Sequence, residues 1–148
     1  MARFIMYAFA LIVLGTGSSS LSASEFLCHP NSVSDDVCER AREIEDEMRP
    51  QLPFTTADGT LITRISSHDS TVSLEGRWSW SDAVFKDRLL KSGLTLSEFR
   101  AKAAQSTNEM VCSTEVLAAF VRLGGQFRYK YSTEDNTTVV EVLVVHCE

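Results

Sequence analysis

Four cysteines, Cys28, Cys38, Cys112 and Cys147, constrain this chain more than any other feature, because two bridges among them would dictate which distant segments must meet. Whether they bridge depends on the compartment. Residues 4–14 form an uninterrupted apolar run of 11, preceded by the single cation Arg3 and followed by the small, polar stretch 15–24. That is the plan of a secretory signal peptide. A run of 11 is too short to span a bilayer, which takes about 20 apolar residues. Ser20-Leu21-Ser22 and Ser22-Ala23-Ser24 both place small residues where a signal peptidase cuts, and no cysteine stands there to carry a lipid. The expectation is a signal peptide over 1–23 and one exported domain over 24–148, periplasmic or secreted.

Exported cysteines are expected to oxidise. Four allow three pairings, which spacing alone does not decide. Local arguments favour 28 with 38, where a short loop precedes a helix, and 112 with 147, where a helix start meets the end of the last strand. The rival is a metal site that adds His29 and His146 to the sulfurs. The C-x2-C and H-x3-H spacings of zinc sites are absent, so neither metal nor other cofactor is expected.

A chain of 148 residues with 23% charged and 44% hydrophobic side chains suits one globular domain. Its formal charge of -6 removes the usual electrostatic route to nucleic acid. It also disfavours general attraction to anionic lipid, and no stable membrane insertion is expected once the signal peptide is gone.

Hydrophobic periodicity predicts a helix over 35–48, capped by Ser32 or Ser34, with Val37, Ala41, Ile44 and Met48 on one stripe. Its acidic run 43–47 reads as a solvated face. Alternation over 61–66 and 72–80, around a polar turn at 66–70, predicts a hairpin. Helices follow over 81–91, over 96–110 with the capping box Thr95-Leu96-Ser97-Glu98, and from Ser113 to the stop at Gly124-Gly125. A second hairpin pairs 127–132 with 138–146, the latter so rich in β-branched residues that it reads as a central strand covered on both faces. The expected fold is α+β, an antiparallel sheet of two hairpins with helices packed on it, in the order α-β-β-α-α-α-β-β, stabilised by disulfides.

Catalytic motifs are missing. His68-Asp69 and a nearby serine suggest a hydrolase triad only on paper, since the pair sits in a turn and no G-x-S-x-G elbow exists. Asn136-Thr137-Thr138 matches a glycosylation acceptor, which matters only in a eukaryotic secretory pathway. No enzyme is expected. What remains is aromatic: Trp78 and Trp80 share one hairpin face, Tyr129 and Tyr131 a face of the other, and such residues serve either as core or as anchors for a partner.

The stretch from Cys112 through Leu117, Leu123-Gly124, Phe127-x-Tyr129-x-Tyr131 to Cys147, with the earlier Thr63-x-Ile65 and Leu74-x-x-x-Trp78, resembles small exported proteins of Gram-negative bacteria. The element order resembles that of the α+β pilotins of type II secretion. That resemblance implies a groove holding a helical segment of the outer-membrane secretin, and the missing lipidated cysteine departs from it. The expected role is binding another envelope protein or peptide segment through Trp78, Trp80, Tyr129 and Tyr131. The alternative is a periplasmic inhibitor of lysozyme or a protease, presenting the 66–70 turn.

Overall fold

Asp36 starts the first helix in the computed structural model: its carboxylate accepts the N–H groups of Cys38 and Glu39 at 2.9 and 3.0 Å, covering two donors that have no partner within the helix. The structure describes residues 27–30, 35–57 and 59–148, and the expected signal peptide and the serine caps at 32 and 34 lie outside them. Helix α1 (Val37–Met48) buries Val37 and Ala41 and presents Glu39, Glu43, Asp46 and Glu47 to solvent. Pro50 then turns the chain through a short 3-10 segment into a two-residue strand, β1 (Phe54–Thr55), too brief to leave a periodic signal in the sequence.

Strands β2 (Leu61–His68) and β3 (Thr71–Arg77) form an antiparallel hairpin. The turn is tighter than the polar stretch suggested. Ser66 to His68 pair with Ser73 to Thr71, leaving Asp69 and Ser70 at the corner, and Asp69 takes a φ of 50°. Helices α2 (Asp82–Ser92), α3 (Leu96–Ser113) and α4 (Glu115–Arg122) follow. The capping box that starts α3 is complete, with Glu98 accepting from the Thr95 backbone at 2.8 Å and Thr95 accepting from the Glu98 backbone at 3.2 Å. Cys112 therefore lies in the last turn of α3, rather than at the start of the next helix. Strands β4 (Gln126–Ser132) and β5 (Thr138–Val144) form the second hairpin.

The expectation of an all-antiparallel sheet needs correcting. The strand order is β1-β2-β3-β4-β5, and β3 pairs β4 in parallel, so the sheet is mixed and five-stranded. Three helices between β3 and β4 carry the chain back to the end where β3 began, and such a crossover makes the next strand parallel. β5 is consequently an edge strand, not a central one. Its run of valines arises because Val140, Val142 and Val144 face the core, while Val139 is buried beside a register shift near Tyr131.

Register explains the two faces. Ile62, Gly76, Tyr131 and Val140 align across four strands, as do Ile65, Leu74, Tyr129 and Val142, and these rows form the core with residues of α1, α3 and α4. On the opposite face Arg64, Glu75, Lys130 and Glu141 align with alternating charge, which suits a sheet surface open to water. Two disulfides brace the fold, Cys28–Cys38 and Cys112–Cys147, with Cα separations of 5.0 and 5.3 Å.

Helix α1 is also fixed by charge. Glu45 accepts the Ser67 N–H at 2.7 Å and its hydroxyl, and Arg49 at 2.6 Å. The Ser67 hydroxyl and then Arg49 hold its carboxyl below the usual range. A carboxylate lowered in the folded state contributes stability that is complete above the unfolded value, about pH 4.3, and is lost as pH falls through the folded one. Urea unfolding from neutral pH into the acid range should show Glu45→Gln losing less stability than the parent protein. An identical acid slope would assign the loss to other carboxylates.

Candidate functional site

The helical layer leaves a gap. Helix α1 lies over β2 and β3, α3 over β5 and α4 over the start of β4 at Phe127, so the sheet around Tyr129 and Tyr131 is incompletely roofed. The gap is a cleft of about 260 Å³. Its floor is Ile62, Tyr129 and Tyr131, one wall is Ala103, Ser106, Thr107 and Met110 of α3, and Thr56 and Thr60 stand opposite. The α3 residues recur at intervals of three and four, the spacing of one helix face. Their small size keeps the wall low, and Met110 closes it with a flexible, exposed side chain.

Trp78 ends the cleft. It stacks on Tyr131 at 5.7 Å between ring centroids, meets Phe99 edge-on at 5.8 Å, and donates its indole N–H to Thr60 at 3.1 Å. Tyr131 continues the stack to Tyr129, 6.1 Å away, and its hydroxyl pairs with that of Thr107 at 3.1 Å. Gly76 makes this arrangement fit. A Cβ there would lie 2.7 Å from the Thr60 methyl and 3.2 Å from the Tyr131 ring, so any side chain would push the floor and the partner of Trp78 apart.

Electrostatically the cleft is neutral. Among the described residues no carboxylate, imidazole, amine or thiol lines it. Burial pushes the Tyr129 phenol well above its ordinary value, so it stays protonated. No buried side-chain nitrogen or oxygen among the described residues lacks a hydrogen-bond partner. The lining is made of aromatic, aliphatic and hydroxyl groups, a surface whose complementarity is chiefly one of shape and apolar contact.

The aromatic residues singled out in the sequence divide. Trp78, Tyr129 and Tyr131 meet at the cleft, with Tyr129 only 6% exposed and thus part of the core as well. Trp80 does not line it. Its ring lies 5.9 Å from Trp78 and carries the Arg88 guanidinium over its face at 4.3 Å. His68 and Asp69 form a 3.0 Å pair on an exposed turn. Cys28 and Cys38 lie beside Asp36, but their sulfurs are bonded to each other and offer no thiolate to a metal. Of the α3 wall, the sequence pattern marks only Ala103, in one amphipathic run with Leu96 and Phe99; Ser106, Thr107 and Met110 went unread, although they continue that face at helical spacing.

No protein-family model and no curated protein matches the sequence. Solved structures do match the fold. The type II secretion system pilotin AspS of Vibrio cholerae aligns with a TM-score of 0.56 at 16% identity, covering 74% of this chain and 88% of that one. A candidate secreted protein of Pseudomonas aeruginosa aligns at 0.55 and 12% identity, covering 72% and 87%. The type 2 secretion system pilotin EpsS of Vibrio vulnificus aligns at 0.52 and 13% identity, covering 76% and 90%. The likeness to pilotins and exported proteins that the element order suggested thus holds for the fold.

Proposed function

We propose that this is an exported protein of the bacterial envelope, periplasmic or secreted, that binds a helical segment of another envelope protein in its cleft. The role is pilotin- or chaperone-like and involves no catalysis. The observation that carries this reading is an uncharged, aromatic-floored groove, walled on one side by small helical residues, on a fold shared with two pilotins. Because the Thr60, Thr107 and Tyr131 hydroxyls and the Trp78 indole already have partners, an occupant can bind mainly through an apolar face, as an amphipathic helix presents at positions i, i+3, i+4 and i+7. Ala103 and Ser106 allow close approach, and Trp78 supplies an aromatic anchor. Among the described residues, no helix is long and apolar enough to cross a membrane.

The test is anisotropy of a labelled peptide, taken from the secretin helix of the same organism. Ser106→Trp fills the groove from an exposed wall position. It should weaken binding by at least about tenfold, roughly 1.4 kcal/mol, while leaving the thermal midpoint unchanged. Unaltered binding would sink the cleft assignment. Inhibition of lysozyme or a protease that is insensitive to Ser106→Trp would favour the inhibitor reading instead.

A further inference from the structure

The cleft wall holds one side chain that a mild oxidant attacks readily. Met110 lines it and is 40% exposed. Its thioether takes up oxygen under conditions that leave hydroxyls and aliphatic carbons intact. Competing groups are few. The chain has four methionines, of which Met1 and Met6 fall in the expected signal peptide and Met48 is partly buried against the core. The four cysteines are engaged in two bridges, so among the described residues no free thiol intercepts the oxidant first.

Position decides what that oxidation does. Side chains on a helix lean back toward its N-terminus, so Met110 overlies the turn that carries Ser106 and Thr107, the hydroxyl residues of the wall. The reduced thioether adds adaptable apolar surface where an occupant buries its own. A sulfoxide there is polar and a strong hydrogen-bond acceptor. Ser106, exposed and one turn away, supplies a hydroxyl to hold it at the mouth of the cleft. An apolar helix face laid over that oxygen would have to strip it of water, a cost absent from the reduced protein. Because Met110 is exposed, the added oxygen penalises the occupant rather than the fold.

We propose that Met110 is an oxidative modification site that regulates the cleft, which captures its partner with the thioether reduced and releases it as the sulfoxide. The inference rests on the cleft reading above. Hydrogen peroxide is the oxidant. A sulfur lone pair attacks one peroxide oxygen, and an S–O bond forms as the O–O bond breaks. The proton of the transferred oxygen passes to the departing hydroxide, which leaves as water. Sulfur is thereby oxidised by two electrons and the peroxide reduced by two. Methionine sulfoxide reductases, one for each sulfoxide epimer, restore the thioether.

The test oxidises the purified protein with hydrogen peroxide, removes the excess with catalase, and then repeats the anisotropy titration with the labelled secretin-helix peptide, which never meets the oxidant. Peptide mapping should find one added oxygen at Met110 before any at Met48. The affinity should fall at least about fivefold, with the thermal midpoint held, and should return after treatment with both reductases. Each variant is compared with its own untreated state. Met110→Leu, whatever its starting affinity, should show no change on oxidation, and Met48→Leu should respond as the parent does. Unaltered affinity at complete Met110 oxidation, prior oxidation of Met48, an equal loss in Met110→Leu, or a loss matched by a falling thermal midpoint would each overturn the proposal. Failure of the untreated protein to bind the peptide would overturn the cleft reading and the regulation with it, whereas binding that survives oxidation removes the regulation alone.

Discussion

Replacing Phe127 with alanine should lower the free energy of unfolding by about 3–5 kcal/mol, the range for removing a large buried aromatic side chain. Phe127 is 1% exposed and is the second residue of β4, the strand that joins β3 in parallel and β5 in antiparallel. It faces Val72 on one side and Val144 on the other, and packs edge-on against Phe120 of α4 with ring centroids 5.2 Å apart. Helix α4 cannot easily close the cavity. Gly125 holds the return of the chain tightly beneath Phe120, where even a Cβ would collide with that ring. The measurement is urea unfolding at neutral pH. A loss below 1 kcal/mol would mean that α4 collapses into the space and that its position is softer than the packing indicates. Tyr129 and Tyr131 adjoin Phe127 in the same aromatic row, so the cleft should lose definition as the core loosens.

The sequence reveals the parts of this molecule whose causes are local. The Thr95 capping box, the hairpin alternation around Leu74 and around Tyr129, and the stop at Gly124-Gly125 all act within a few residues, and each appears where its chemistry places it. Arrangement is less legible. Nothing near Arg77 or Gln126 records that β3 and β4 run parallel, because that follows from the net path of three intervening helices. The cleft shows the same limit. Its floor is signalled by Tyr129 and Tyr131, but its wall depends on which side of α3 turns toward the sheet, and its depth depends on the missing side chain at Gly76. Trp80 shows the opposite error. Alternation put it with Trp78, yet β3 ends at Arg77, and beyond a strand period two no longer applies.

The two bridges should differ in what they hold. Replacing Cys112 and Cys147 together by alanine should cost about 4 kcal/mol, because the loop they close spans 35 positions. The same change at Cys28 and Cys38, only 10 positions apart, should cost about 3 kcal/mol on the same chain-entropy account. Alanine is the right replacement, since Cys147 is 6% exposed and a serine there would add the cost of a buried hydroxyl. The larger loop contains α4, β4 and β5, and its closure fixes the last turn of α3 to the chain end beyond β5. That turn adjoins Met110, so opening this bridge should also weaken peptide capture in the cleft, whereas opening the first should not. Denaturant unfolding and peptide anisotropy on the two double variants measure both effects. Equal stability losses would contradict the loop-length account. Unchanged capture without Cys112–Cys147 would mean that α3 keeps its place through Val111 and the core alone.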